Sequence, residues 1–245
     1  MTYNVKLRHP KQRCMVSTQQ LDIFGVSVVI AAFNEEEGIV PTICEIQKEL
    51  GNPQIIVVDG KSTDRTIDVA KNLGAEIFFQ KKRGKGDAIS EGIKYIDECS
   101  KYVVFTDADY TYPAKHVKEM IAILDSRPEV GMVLGNRFSQ QYKNESDRNQ
   151  FYIGNRLLGF LQWMFNGVNL NDPFTGLRII RSELLANWRP KSLSFDIEAE
   201  INNHIIRSGH TISELPIMYR KRLGKKKLGF KHGLDILRRI ILQRF

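Results

Sequence analysis

The 245-residue chain contains no run of about 18 or more apolar residues, so it encodes no helix able to span a bilayer. Its first residues, MTYNVKLRHPKQRCMVSTQQ, have no apolar core. A secretory signal would need one, so the expectation is a polar arm on a cytoplasmic protein. Cysteine is scarce. Cys14, Cys44 and Cys99 are odd in number, lie far apart and form no CxxC, as expected for reduced thiols and not for a disulfide framework. Without a secretory signal, the sequon Asn144-Glu145-Ser146 is read as coincidence. No GxxxxGK[ST] occurs, so a P-loop nucleotide site is not expected. No internal repeat or low-complexity linker divides the chain.

What is present is an ordinary globular composition, 42% hydrophobic and 26% charged, with an uneven charge. Eleven of the 36 Lys and Arg lie from Arg207 to Phe245 against two acids. That stretch therefore carries +9 of the total +8, leaving −1 for the first 206 residues. Such a tail suits an anionic contact: nucleic acid, a phosphorylated substrate or an anionic membrane. Nucleic acid is the least favoured of these. The basic run RKRLGKKKLGFKHG offers only Phe230 for base stacking. Phe230, Leu234, Leu237, Ile241 and Phe245 recur at helical spacing, with Lys231, His232, Asp235, Arg238, Arg239 and Arg244 largely off that stripe. A basic amphipathic helix of this kind suits an anionic lipid surface. The other destinations for its apolar stripe are the domain core and a second subunit.

The body of the chain alternates β-branched runs with helical patterns. VSVVIAAF, QIIVVD, AEIFFQ, YVVFTDAD and GMVLGNRF read as strands, and helices are expected between them. This alternation predicts an α/β fold with a mostly parallel, Rossmann-like sheet flanked by helices. Ligands of such sheets bind beyond the carboxyl ends of the strands. Asn34, Asp59 and the pair Asp107/Asp109 fall there. Each alone reads as a turn former, and their recurrence shifts the reading toward a site. Residues i and i+2 of a strand share a face, so Asp107 and Asp109 converge. Two carboxylates that close repel unless a cation lies between them, and a hard divalent cation takes oxygen ligands.

In order along roughly residues 26 to 232, the segments VVIAAFNEEEGI, IVVDGKSTDRT, RGKGDAISEG, DADYTYP, GNRF, DPFTGLR and ELPIMYRKRLGKKKL resemble the family-2 inverting glycosyltransferases of GT-A fold. The branch they are most similar to is the polyprenyl-phosphate sugar synthases of the dolichyl-phosphate mannose or glucose synthase type. The resemblance implies transfer of a hexose from a nucleotide-diphosphate sugar to a polyprenyl phosphate at the cytoplasmic membrane face, assisted by Mg2+ or Mn2+. It implies a metal contact through Asp109, with Asp107 on the metal or the ribose and Thr111 adding an oxygen. Ala32, Asn34, Glu36 and Asp59 would hold base and ribose, Asp59 facing the imide of uracil or the donors of guanine. Arg83 and Lys85 would touch the donor. Arg137, Arg178, Arg220, Arg222 and Lys227 would orient the acceptor phosphate. Asp196, beside Glu198 in FDIE, would position a basic residue or the donor sugar.

The match departs from the family at Asp59-Gly60-Lys61, where paired aspartates are usual, so donor identity does not transfer. The QxxRW of processive polysaccharide synthases does not occur. The acidic AAFNEEEG loop is unlike the Gly-rich, basic loop of a nucleotidyltransferase. A soluble or glycan hydroxyl acceptor, with Asp196 as general base, is the alternative reading. The expected organisation is an arm over 1–24, a catalytic domain over 25–227 and a basic amphipathic appendage over 228–245.

Overall fold

The computed structural model describes residues 25–138, 150–225 and 230–243. The N-terminal arm with Cys14, the sequon, Lys227, Arg244 and Phe245 lie outside the described residues. The elements are β1 (Val26–Ala32), α1 (Glu36–Leu50), β2 (Gln54–Asp59), α2 (Thr66–Asn72), β3 (Glu76–Phe79), α3 (Lys85–Ile93), β4 (Tyr102–Asp107), α4 (Val117–Ser126), β5 (Val130–Asn136), α5 (Gln150–Asn166), β6 (Arg178–Arg181), α6 (Ile197–Arg207), β7 (Thr211–Pro216) and α7 (Phe230–Leu242).

One seven-stranded sheet runs in the order β3-β2-β1-β4-β6-β5-β7. Only β6 is reversed: it pairs antiparallel with β4 and β5, while the other neighbours pair parallel. The strands are apolar on both faces because helices cover both. Val28 and Ile30 of β1 face a core shared with Ile39, Ile43 and Ile46 of α1 and Met120 of α4. Val29 faces the opposite core, with Ile89 of α3 and Ile197, Ile201 and Ile205 of α6. This alternation is the period-2 rule acting within one strand.

Register fixes where the polar strand ends meet. Ala32 lies opposite Asp59 and Ala31 opposite Asp107. The ends of β1, β2 and β4 therefore form one carboxyl edge, and reversed β6 starts near it, with Arg178 opposite Phe105 and Leu134.

The C-terminal helix is present and packs against the body. Ile236 and Ile240 are buried with Ala199 of α6, against Leu158 and Phe165 of α5 and the rings of Phe174 and Phe195. The expected outward stripe is a different one: Leu234 and Ile241 are exposed, as is Leu242. On α5, Ile153, Leu157, Phe160, Trp163 and Met164 are also exposed. No helix among the described residues is long and apolar enough to cross a membrane.

Candidate active site

The carboxyl edge opens into a cavity of about 1030 Å³. Its floor comes from the end of β4. Asp107 lies at the last strand position, and Asp109, two residues on, is buried. Asp109 is oriented by its own turn: Thr111 donates to Oδ1 from its hydroxyl at 2.6 Å and its backbone N–H at 3.2 Å. Arg222 Nη1 approaches Oδ2 at 3.4 Å, while its Nη2 donates to Glu35 Oε1 at 2.7 Å.

Lys85, the first residue of α3, reaches Asp107 Oδ1 at 2.6 Å and Glu198 Oε1 at 2.8 Å. Close approach of two loops makes this bridge. Gly84 adopts φ +119, and a Cβ there would run into the Leu193 carbonyl, so only glycine fits. Gly176 leaves room for the Asp107 carboxylate, which a Cβ would overlap.

These contacts set the protonation balance. Burial pushes Asp107 up, but the Lys85 ammonium outweighs it and holds the carboxyl below its ordinary range. Burial and then the charge of Asp107 push Asp109 above its ordinary value. Burial alone would lower Lys85, yet Asp107 and Glu198 together raise it above the usual lysine value. The pair therefore has one carboxylate closely matched by Lys85 and one, Asp109, that burial and its neighbour's charge push up and that Arg222, at 3.4 Å, offsets only in part. That donor set, two aspartates and a hydroxyl, suits a hard divalent ion. Among the described residues no group of three or more His, Cys, Asp and Glu converges. An ion here would be completed by phosphate oxygens, the habit of Mg2+.

The other expected residues divide. Ala32, Lys85, Asp107, Asp109, Thr111, Arg137, Arg220 and Arg222 line the cavity. Arg137 forks onto buried Asp172, Nε to Oδ2 at 2.7 Å and Nη2 to Oδ1 at 2.8 Å. Arg220 forks onto Glu45 at 2.7 Å through each terminal nitrogen and stacks on Tyr110, 4.2 Å from the ring centre. Asn34, Glu36 and Asp59 do not line it. They brace one loop against another instead. Asn34 Oδ1 accepts the Thr63 N–H at 2.8 Å, Glu36 Oε2 accepts that of Arg65 at 3.0 Å, and Asp59 holds the N–H and hydroxyl of Ser62 at 2.8 and 2.5 Å.

Arg178 and Asp196 also stay out of the cavity lining. Arg178 is almost wholly buried. It donates to the carbonyls of Thr175 (2.7 Å), Pro173 (3.4 Å) and Glu198 (3.4 Å) and to Asn202 Oδ1 (3.1 Å). It thereby ties the turn before β6 to α6. Asp196 accepts from the Ser194 N–H at 3.0 Å and from Arg239 Nε of α7 at 2.9 Å. Glu198, two residues along α6, faces the cavity in its place.

Several lining residues carried no distinct mark in the sequence. Glu35 is one of three consecutive glutamates, and only the entry angle of α1 turns it inward. Tyr112 and Tyr219 meet edge to face at 5.2 Å between ring centres, though 107 residues apart in sequence. Phe195 packs edge to face with His232 of α7 at 4.6 Å, and both line the cavity with Phe174 and Lys221.

The glycosyl transferase family 2 profile matches residues 27–189. A dolichyl-phosphate hexose transferase of Haloferax volcanii is 30% identical over 220 residues, 88% of this chain and 92% of that protein. A dolichol-phosphate mannosyltransferase of Pyrococcus furiosus is 25% identical over 232 residues, 88% of this chain and 62% of that protein. Among solved structures, glucosyl-3-phosphoglycerate synthase of Mycobacterium tuberculosis, in complex with Mn2+, UDP and glucosyl-3-phosphoglycerate, superposes with a TM-score of 0.68. It is 22% identical, and the match covers 89% of this chain and 77% of that one; the likeness is one of GT-A fold. With the acidic pair at the carboxyl edge of a mostly parallel sheet, and a family profile spanning most of that sheet, the chain belongs to the family-2 glycosyltransferases.

Proposed function

We propose that this glycosyltransferase moves a hexose from a nucleotide-diphosphate sugar, of the UDP-glucose or GDP-mannose type, to a polyprenyl phosphate with inversion. The observation that carries the reading is the charge of the cavity. Six Lys or Arg line it, Arg83, Lys85, Arg137, Arg220, Lys221 and Arg222, against four acids, Glu35, Asp107, Asp109 and Glu198. Each of the four acids sits against Arg222 or Lys85. Such a lining suits two anionic reactants at once, a donor diphosphate and an acceptor phosphate. Asp196, the base that a hydroxyl acceptor would require, is turned to Arg239 instead. The relatives named for dolichyl-phosphate hexose and mannose transfer support the same acceptor class.

In this reading an acceptor phosphate oxygen, already an anion, attacks the anomeric carbon from the face opposite the diphosphate. The new C–O bond forms as the bond to the diphosphate breaks, and the nucleoside diphosphate leaves with the electron pair. No proton has to move in that step. Asp109, with Asp107 and Thr111, would hold Mg2+ or Mn2+, which supplies Lewis-acid neutralisation of the leaving diphosphate. Lys85 keeps Asp107 ionised and in place. Arg222, Arg137 and Arg220 orient the acceptor phosphate and the diphosphate, and Ala32 with the loop that follows it borders the nucleoside. Residues 25–227 form the catalytic domain and 228–245 a basic amphipathic appendage. The exposed apolar residues of α7 and α5, helices that also carry the exposed Arg238 and Arg156, rest on the cytoplasmic face of an anionic membrane.

The test is incubation with a panel of UDP- and GDP-hexoses, a short polyprenyl phosphate and Mg2+ or Mn2+, read by mass spectrometry of the lipid. The reading expects one hexose added to the lipid phosphate and none after chelation of the metal. Hexose added only to free sugars or glycans would replace it with the hydroxyl-acceptor reading.

A further inference from the structure

Glu198 is 4% exposed, yet it lines the cavity. Its two oxygens differ. Oε1 takes the Lys85 ammonium at 2.8 Å, whereas Oε2 is buried without a hydrogen-bond partner. A buried carboxylate oxygen left unmatched is costly, and such an atom in a native site calls for a ligand or a water. An ionised carboxylate only accepts. It therefore repels phosphate and takes a hydroxyl or an N–H.

The surroundings narrow that choice. Lys85 ties Glu198 to Asp107 at the end of β4, so its carboxylate belongs to the acidic floor and not to the guanidinium rim. Phe195, two residues before α6, has the Lys85 ammonium 5.8 Å from its ring centre and lines the cavity together with Phe174. An acceptor-only oxygen beside aromatic rings is the chemistry that receives a sugar, whose hydroxyls donate and whose C–H faces pack on rings.

We infer that Glu198 is the residue that recognises the transferred hexose, with Oε2 accepting a hydrogen bond from one ring hydroxyl. Lys85 acts as a positioning residue: it fixes the Glu198 rotamer through Oε1 and links sugar recognition to the Asp107 end of β4. Arg178 and Asn202 support the same helix from behind, Arg178 through the Glu198 carbonyl and Asn202. Specificity for the hexose is thus set on α6, while nucleoside and diphosphate are met by the β1 loop and the end of β4. This inference rests on the reading of the protein as a hexosyltransferase using a nucleotide-sugar donor.

The experiment compares wild type with Glu198→Gln and Glu198→Ala, using the donor hexose identified by the transfer assay and its single-position deoxy analogues. Affinity for the free nucleoside diphosphate is measured in parallel and reports the integrity of the site. A hydroxyl-to-carboxylate bond in a buried site is worth about tenfold to a hundredfold in kcat/KM. Wild type is expected to lose that factor for one deoxy analogue. Both variants are expected to lose a similar factor with the parent sugar and to show no further loss with that same analogue. Nucleoside diphosphate affinity stays within about threefold.

Three outcomes overturn the inference. In the first, nucleoside diphosphate affinity falls with the variants, which places Oε2 on the ribose. In the second, the variants lose the same factor with every analogue, as a general base would. In the third, wild type is indifferent to the removal of every single hydroxyl, a result that needs no variant. No transfer from any nucleotide sugar would instead sink the hexosyltransferase reading.

Discussion

The two halves of the carboxyl edge use the same kinds of side chain for opposite purposes. On the β1–β2 side, Asn34, Glu36 and Asp59 hydrogen-bond to backbone and hydroxyl groups of the 62–65 turn, and the loops there are tied to each other. On the β4–β6 side, Asp107, Asp109 and Glu198 are held by Lys85 and Arg222, which come from distant segments, and they face open space. A polar residue at a strand end therefore has two fates. It satisfies the backbone of a tight loop, or it joins charges gathered from several elements. Only the second creates a field a ligand can use.

That contrast is tested most severely by Asp109→Ala. Removing the carboxylate that lacks a close ammonium is expected to cut transfer about a thousandfold or more at saturating Mg2+, with the circular dichroism spectrum and Tm little changed. Retention of a tenth of wild-type activity would move the metal assignment elsewhere.

Arg178→Ala should behave in the reverse way. Its guanidinium serves three carbonyls and Asn202 inside the protein, so its loss is expected to lower the unfolding free energy by about 3 kcal/mol. Urea denaturation measures this. A stable variant with a raised acceptor KM would return Arg178 to the acceptor site.

Arg222→Ala probes the cavity rim. Its loss is expected to raise the acceptor KM about tenfold, as for a charge-assisted phosphate contact, with donor affinity changed less. The opposite split would put Arg222 on the diphosphate.

The mildest effect is expected at Asp59. Replacing it with Ala removes two short bonds to Ser62, costing about 1 to 2 kcal/mol of stability. The preference between UDP- and GDP-sugars should stay as in wild type. A changed preference would show that Asp59 reads the base after all.

The strands along the chain up to β5, the mostly parallel sheet and the position of the acidic pair were legible because continuous apolar runs ending in polar turns are a local signal. The expectation that Asp196 would position a basic residue agrees with its pairing to Arg239, but the burial of Arg178 and the turn of Glu198 into the cavity were not legible. Strand alternation places Arg178 on the face of Ile180, against α6, but only once the register of reversed β6 is known. In FDIE, two acids two residues apart point to different sides of a helix. Which one enters the cavity depends on the phase of α6, and that is set by Ile197, Ile201 and Ile205 packing under the sheet. The amphipathic pattern of α7 was visible, yet the buried pair Ile236 and Ile240 was not distinguishable from the outward Leu234 and Ile241. Both sets repeat at helical spacing, and α5, which covers one of them, comes from far upstream.

The chemistry at the acceptor is the central claim, and the linkage in the product tests it most directly. Proton and phosphorus NMR of the lipid product formed from an α-configured nucleotide hexose reads both the linked atom and the anomeric configuration. The account predicts a β-linked hexosyl phosphate, with the anomeric proton coupled to a single phosphorus. An α-linkage, or an anomeric carbon joined to a hydroxyl oxygen with no phosphorus coupling, would contradict it.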